Sequence, residues 1–512
     1  MTILTKNIIS NVSGQVIVLF LNFLAVKYIF GYLGSEALGV IYFALIINTL
    51  LVAVLDLGIS STTVREIANS IKDNPEYAHR VIQTASLFYW GAYLTFSLLI
   101  FVSAPFFVRY WIHLQTTDVP TAITIIRILG ISSFLALPKS LYESIIRGIQ
   151  RMEFINLLDV CVTALQQGGI IVFIFIGSSF LTIASWIGLS LVLSIISYQF
   201  VVTRFFPITA LIPRYHGSIV RHTNKFAKTL MGISILSVVY TESDKLIISA
   251  FMPISMVGYY NVGYSGLAKG SLFADAISQA AFPVFSTHQG RGRHHFLLDR
   301  FWKLQDVVCL VSVPIFAATP FVVVPFFTFI FNAPTADVLL LPFTLLAIGF
   351  YLHNTLMVPY VASLASGNPE ITLKANTLAL FIILPLSVVL IYFWKLSGAG
   401  ITWIAYQLFI CAYAIPLICR DCLGITPILW YTHVIKIVSL ALGIYSISWG
   451  IAYITSTDST LFFVSAYILA SLLFGIISYK FLMTSTLKTS LHNYLNALYK
   501  HALRFYNHSY PQ

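Results

Sequence analysis

Residues 33–56, LGSEALGVIYFALIINTLLVAVLD, and residues 252–275, MPISMVGYYNVGYSGLAKGSLFAD, decide how this chain is organised. Gly39 falls on Gly258 and Asp56 on Asp275 at a spacing of 219 residues. The same spacing carries Gly148, in SIIRGIQ, onto Gly367, in SLASGNP, and a slip of two residues aligns Trp186 with Trp403. Each match is weak alone. Together they keep register over about 150 residues, allowing that slip, and point to an internal repeat.

Both copies are written in lipid-soluble residues. The 512 residues are 58% hydrophobic and 9% charged, where an average soluble chain carries about 25% charged residues. Mean hydropathy is +0.88. A membrane span needs about 20 mainly apolar residues. Fourteen such segments are expected, at 8–32, 38–62, 82–106, 121–145, 155–177, 180–203, 227–250, 256–281, 305–330, 338–363, 373–394, 399–419, 428–454 and 461–482. The first is long enough to span, so it reads as a helix of the body and not as a cleaved signal. Connections are short, and no soluble domain interrupts them.

Lysine and arginine set the orientation. With the N-terminus in the cytoplasm, Arg65, Lys72 and Arg80, then Arg147 and Arg151, then the run from Arg204 to Lys228, then Arg291 to Lys303, all fall on one side. The other side receives Arg109, Lys395 and Lys27. Both termini are therefore expected in the cytoplasm. Each copy of the repeat holds six spans. An even number inserts both copies the same way up, as a parallel repeat about an axis along the membrane normal. The expected architecture is an all-α polytopic protein: an N-terminal six-helix lobe at 1–206, a basic cytoplasmic linker at 207–224, and a C-terminal six-helix lobe at 225–420. Helices 13 and 14 follow at 421–483, then a cytoplasmic amphipathic tail at 484–512. In that tail Leu491, Leu495 and Leu498 recur at helical spacing among basic residues, as in helices that lie on a membrane surface.

Net charge is +11. Scattered basic loops argue against nucleic acid and for anionic headgroups or an anionic substrate. The five cysteines provide no disulfide framework. Cys419-Arg-Asp-Cys422 has no second ligand pair to make a metal site, and no cofactor is expected. No P-loop is present, and no large outer loop carries catalytic residues, so an enzyme is not expected.

Charged residues inside the apolar segments are the first place to look for function: Lys27, Asp56, Arg127, Lys139, Glu242, Asp244, Lys245, Lys269 and Asp275. A charge at the bilayer centre costs roughly 2.5–3.5 kcal/mol on insertion scales and persists where it meets a partner or a wet cavity.

The chain resembles the Wzx-type polysaccharide-repeat-unit flippases of the multidrug/oligosaccharidyl-lipid/polysaccharide exporter superfamily. The resemblance rests on Tyr32-Leu-Gly-Ser-Glu-Ala-Leu-Gly39, Asp56-Leu-Gly-Ile-Ser-Ser with Arg65 following, and Arg147-Gly-Ile-Gln-Arg151 with Asn156. It rests also on Glu242-Ser-Asp-Lys245, Val257-Gly-Tyr-Tyr260 and Gly398-Ala-Gly-Ile401. These are loose patterns, persuasive by their order over roughly 10–420. The resemblance implies two six-helix lobes around a central cavity. It implies alternating access, commonly coupled to a proton or sodium gradient. The implied substrate is an oligosaccharide on undecaprenyl diphosphate, moved to the outer leaflet of the bacterial cytoplasmic membrane for surface polysaccharide such as O-antigen. Implied partners are membrane lipids and other polysaccharide assembly proteins. The lipid II flippases have an arginine-rich first helix, where this chain has Lys27 alone. A cation-coupled multidrug antiporter of the same fold is the alternative. Lys139, Lys245 and Lys269 count against the acid-rich cavity it needs.

An anion crossing a low-dielectric slab needs positive counter-charge. Lys139, Lys245, Lys269 and Arg127 are the candidates for binding the diphosphate or an acidic sugar. Ordinary pairing is the competing reading: Glu242 with Lys245 at i,i+3 and Lys139 with Glu143 at i,i+4, while Arg127 can snorkel to headgroups. Glu242, Asp244 and Asp275 are candidates for ion coupling, since burial raises a carboxyl pKa and a nearby cation lowers it. Asp56 is a further candidate, although a cap on the neighbouring Asp-Leu-Gly backbone explains it better. His353 reads as a proton relay or, more simply, as an inter-helix hydrogen bond.

Overall fold

The computed structural model describes residues 3–71, 73–289, 294–455, 460–484 and 487–489. Within these, side chains are described except at 3–16, 51, 53–58, 61, 69, 222–235, 237, 240, 279–280, 283–284, 286–289, 294–296 and 460. The tail expected at 484–512 therefore falls almost wholly outside the described residues.

Every named element is a helix. They are α1 (Ile3–Ser70), α2 (Pro75–Phe106), α3 (Val119–Ser133), α4 (Ala136–Gly148), α5 (Met152–Phe175), α6 (Phe180–Val202), α7 (Ile208–Leu211) and α8 (Gly217–Phe251). Then come α9 (Ile254–Lys269), α10 (Leu272–Gln289), α11 (His294–Ala317), α12 (Thr319–Ile330), α13 (Ala333–Ala365), α14 (Pro369–Ile418), α15 (Pro427–Ile454) and α16 (Thr460–Ile477). Among the described residues nine helices are long and apolar enough to cross a membrane, or ten if α11 and α12, bent by 44°, make one span. This is a multi-pass membrane protein. Two of the nine hold two expected segments each. α1 is interrupted at Gly34, whose φ of 85° favours glycine, and α14 at Lys395, with φ 53°.

The expected segment 256–281 is not continuous. It breaks between α9 and α10 at Gly270 and Ser271, whose N–H groups turn back to Leu267 and Ala268. Gly270 packs against α11, where a Cβ would lie 3.0 Å from Ile315 and 3.1 Å from Phe316. Lys269, Gly270 and Ser271 interrupt the apolar pattern at this point, although the expected segment runs through them.

The chain divides into two compact units, Met1–Val262 with Phe329–Asn332, and Gly263–Thr328 with Ala333–Gln512. In the first, Ile67, Ile82, Tyr89, Leu141, Tyr142 and Tyr198 form a buried core joining α1, α2, α4 and α6. Gly39 of α1 lies against α9: a Cβ there would fall 2.1 Å from the Ile254 carbonyl oxygen, and one on Gly258 would fall 3.1 Å from the Gly39 nitrogen. The two glycines equated by the repeat thus touch one another.

Loops expected on the outer side also meet in this unit. The Glu36 carboxylate accepts the backbone N–H groups of Gln115, Thr116 and Thr117 at 2.7, 2.8 and 2.7 Å, and Ile254 N–H donates to His113. Burial alone would raise the Glu36 pKa. The N–H groups of 117, 115 and 116 outweigh it and hold the carboxyl below its ordinary value.

In the second unit, Asp306 of α11 is fully buried. Its carboxylate accepts the Thr484 N–H at 2.8 Å and stands 2.9 Å from His433 Nε2 of α15, close but not aligned as a hydrogen bond. The middle of α11, the second turn of α15 and the chain after α16 come together there. Helical prolines leave the carbonyl four residues earlier without its N–H donor. At Pro359 that carbonyl belongs to Thr355, and Gln305 Nε2 donates to it at 2.9 Å.

Candidate functional site

The candidate charges fall into three settings. The first is a cluster across α4, α5 and α6. Lys139 Nζ lies 2.9 Å from Asp159 and 3.2 Å from Glu143. Glu143 also takes Arg147 at 2.8 Å, and Asp159 accepts the Tyr198 hydroxyl at 2.8 Å. Two cations face two anions, so the cluster is formally neutral. The i,i+4 pairing with Glu143 was readable in the sequence. Asp159 was missed, although a carboxylate inside the expected segment 155–177 was signal enough.

The second setting is α8. Lys245 is 2% exposed and Asp244 3% exposed. Lys245 Nζ contacts Glu242 at 2.9 Å and donates to the Thr241 carbonyl at 2.8 Å. Asp244 accepts the Tyr260 hydroxyl, tying α8 to α9. Glu242 and Lys245 are thus paired along one helix, while Asp244 accepts the Lys245 backbone N–H at 2.7 Å.

The third setting is the break between α9 and α10. Lys269, the last residue of α9, is exposed, and among the described residues no carboxylate pairs with it. Asp275 lies in the first turn of α10 and is half-buried. On either side of it along the chain, the Ser271 and Ser278 hydroxyls are buried and find no hydrogen-bond partner among the described residues. The helix N-terminus adds unpaired N–H groups and partial positive charge.

The remaining candidates stand apart. Arg127 Nε donates to the Phe101 carbonyl at 2.9 Å, and its guanidinium lies 4.2 Å from the centre of the Phe101 ring. Pro105 follows Phe101 by four residues within α2, so Arg127 satisfies the carbonyl that the proline leaves open. Lys27 lies 3.4 Å over the Phe329 ring. His353 of α13 sits beside Gln407 and edge-on to Trp403 of α14. The side chain of Asp56 lies outside the described residues. No cluster of three or more His, Cys, Asp or Glu suited to a metal occurs among the described residues. The thiols of Cys419 and Cys422 are buried.

Comparison with known proteins places this geometry. A family model described as "Polysaccharide biosynthesis protein" matches residues 4–289. A Shigella flexneri protein named "Putative O-antigen transporter" is 22% identical over 401 residues, covering 78% of this chain and 93% of its own. Among solved structures, the lipid II flippase MurJ in an inward closed conformation is similar over 94% of this chain and 99% of its own, with a TM-score of 0.68 and 17% identity. An inward-facing multidrug transporter of the MATE family is similar over 79% and 96%, with a TM-score of 0.64 and 14% identity. These structural likenesses show the fold. The chain belongs to the polysaccharide biosynthesis protein family and has the transporter fold of the superfamily that its resemblance to Wzx-type flippases implied.

Proposed function

We propose that this chain is a flippase that moves an oligosaccharide carried on undecaprenyl diphosphate from the cytoplasmic to the outer leaflet of a bacterial cytoplasmic membrane. It works by alternating access and is coupled to a proton or sodium gradient. The observation that carries the reading is Lys269: an exposed ammonium at a broken helix inside an apolar segment, with no paired carboxylate among the described residues. Broken helices in transporters point backbone dipoles at charged substrate groups. Lys269 is the primary counter-charge for the diphosphate. Lys139 and Lys245 are reserves, held by carboxylates until the substrate or a conformational change exchanges their partners. Asp275, Glu242 and Asp244 are the coupling candidates, with Asp56 and His353 behind them.

The contact between Gly39 and Gly258 supports the parallel repeat, because residues equated by a two-fold operation touch only near its axis. An apolar groove of about 410 Å³ between α15 and α16, lined by Leu440, Gly443, Ile447, Ala470 and Leu473 among others, suits an isoprenoid chain. An inside-negative potential favours outward movement of negative charge by about 2.3 kcal/mol per charge per 100 mV, so the substrate's own charge assists export. The test is a deletion strain. Loss of surface glycan with lipid-linked repeat units accumulating on the cytoplasmic face is expected. Normal glycan in that strain rules the reading out.

A further inference from the structure

The segment after α6 carries basic residues that no carboxylate among the described residues neutralises. Between Asp159 and Glu242 the sequence has no Asp or Glu. Arg204, Arg214 and Arg221 are exposed, and among the described residues none pairs with a carboxylate. Other exposed basic residues do: Arg80 with Glu76, Arg151 with Glu153, Lys374 with Glu370 and Arg420 with Asp421.

The segment is also held in one conformation. Gln83 of α2 clasps it three ways: Nε2 donates to the Thr209 carbonyl at 3.0 Å, Oε1 meets His216 Nε2 at 2.7 Å, and its carbonyl accepts the Arg214 N–H at 3.1 Å. Ser86 Oγ donates to the Leu211 carbonyl at 2.7 Å. One face, Phe206, Ala210 and Leu211, is buried in the core of the first unit. The opposite face is apolar yet open, with Ile208 66%, Ile212 55% and Tyr215 62% exposed.

The segment follows directly on α6, whose end also presents apolar side chains. Phe200 and Ile196 are exposed on that helix, which is long and apolar enough to cross a membrane, and the Arg204 guanidinium sits 4.8 Å from the Phe200 ring centre. Large apolar side chains beside unpaired arginines, at the end of a spanning helix, match the boundary between acyl chains and anionic headgroups.

We infer that residues 204–221 form a lipid-docking strap. Ile208, Ile212 and Tyr215 enter the headgroup boundary, and Arg204, Arg214 and Arg221 bind the phosphates of anionic lipids. The strap does not depend on what the protein transports. A basic residue near an anionic leaflet contributes about 1 kcal/mol, or about fivefold in binding per arginine.

The test uses the full chain reconstituted in mixed phosphatidylglycerol and phosphatidylcholine vesicles, with lipids that stay bound after extraction counted by native mass spectrometry. Wild type should retain phosphatidylglycerol over phosphatidylcholine, and Arg204→Gln/Arg214→Gln/Arg221→Gln should lower that preference at least tenfold. The charge-matched control Arg151→Gln/Lys374→Gln/Arg420→Gln should keep it. Ile208→Ser/Ile212→Ser/Tyr215→Ser should weaken retention of both lipids, with an unchanged melting temperature in detergent showing that the fold survives. Equal preference in wild type and the arginine triple variant overturns the inference, as does an equal loss in the control. Loss of function in cells with lipid retention intact also overturns it and points to a protein partner for the strap.

Discussion

Lys245 and Lys269 both lie in apolar segments, and they are treated in opposite ways. Lys245 is buried with Glu242 beside it, its ammonium also bonded to the Thr241 carbonyl. Lys269 ends a helix at a break and is exposed. The difference separates charge that carboxylates of the protein already meet from charge that no carboxylate among the described residues pairs with. Lys139 belongs with Lys245, since two carboxylates and the Tyr198 ring surround it.

The contrast can be broken by substitution. Lys245→Met should act on folding: it leaves Glu242 buried without its cation, which costs about 3–5 kcal/mol for a broken buried pair, and the melting temperature in detergent should fall steeply. A variant as stable as wild type would mean that Lys245 is not structural. Lys269→Ala should act on transport instead, cutting the flipping rate by about tenfold or more, equivalent to about 1.4 kcal/mol, with little change in melting temperature. The reverse pattern in the two variants would collapse the distinction.

Two smaller effects sharpen it. Glu36 shows a charge satisfied without any cation, by three N–H groups. Glu36→Ala orphans those donors and should cost about 1–3 kcal/mol. Because its folded pKa is depressed, the Glu36 contribution is present above the unfolded value of about 4.3. It is lost as pH falls through the folded value. Wild type should thus lose its advantage over Glu36→Ala in acid, read as converging melting temperatures below about pH 4. Smallest is the partly exposed Lys139 pair. A double-mutant cycle of Lys139→Met and Asp159→Asn should give a coupling of about 0.5–1 kcal/mol in stability; zero coupling would release Lys139 to the substrate-facing group.

Much of this was legible in the sequence. Hydropathy gave the membrane body, and the two glycines that the expected repeat equates, Gly39 and Gly258, lie in contact. Local pairings, Lys139 with Glu143 and Lys245 with Glu242, followed from helical periodicity. Contacts distant in sequence did not. Asp159 joins Lys139 from the next helix, Glu36 reaches a loop some eighty residues later, and Arg127 answers a carbonyl that Pro105 leaves open on another helix. The break at Gly270 was overlooked for a different reason: a window of mean hydropathy runs across Lys269, Gly270 and Ser271, and it does not record the close packing of Gly270 against Ile315 and Phe316.

The most direct test of the account is flipping of an undecaprenyl-diphosphate-linked oligosaccharide in proteoliposomes, comparing wild type with Lys269→Ala. The account predicts translocation by wild type, faster under a potential that drives negative charge in the direction of transport, and at least tenfold slower in the variant. Equal rates in the two proteins, or export of a cationic drug with no movement of the lipid-linked sugar, would contradict it.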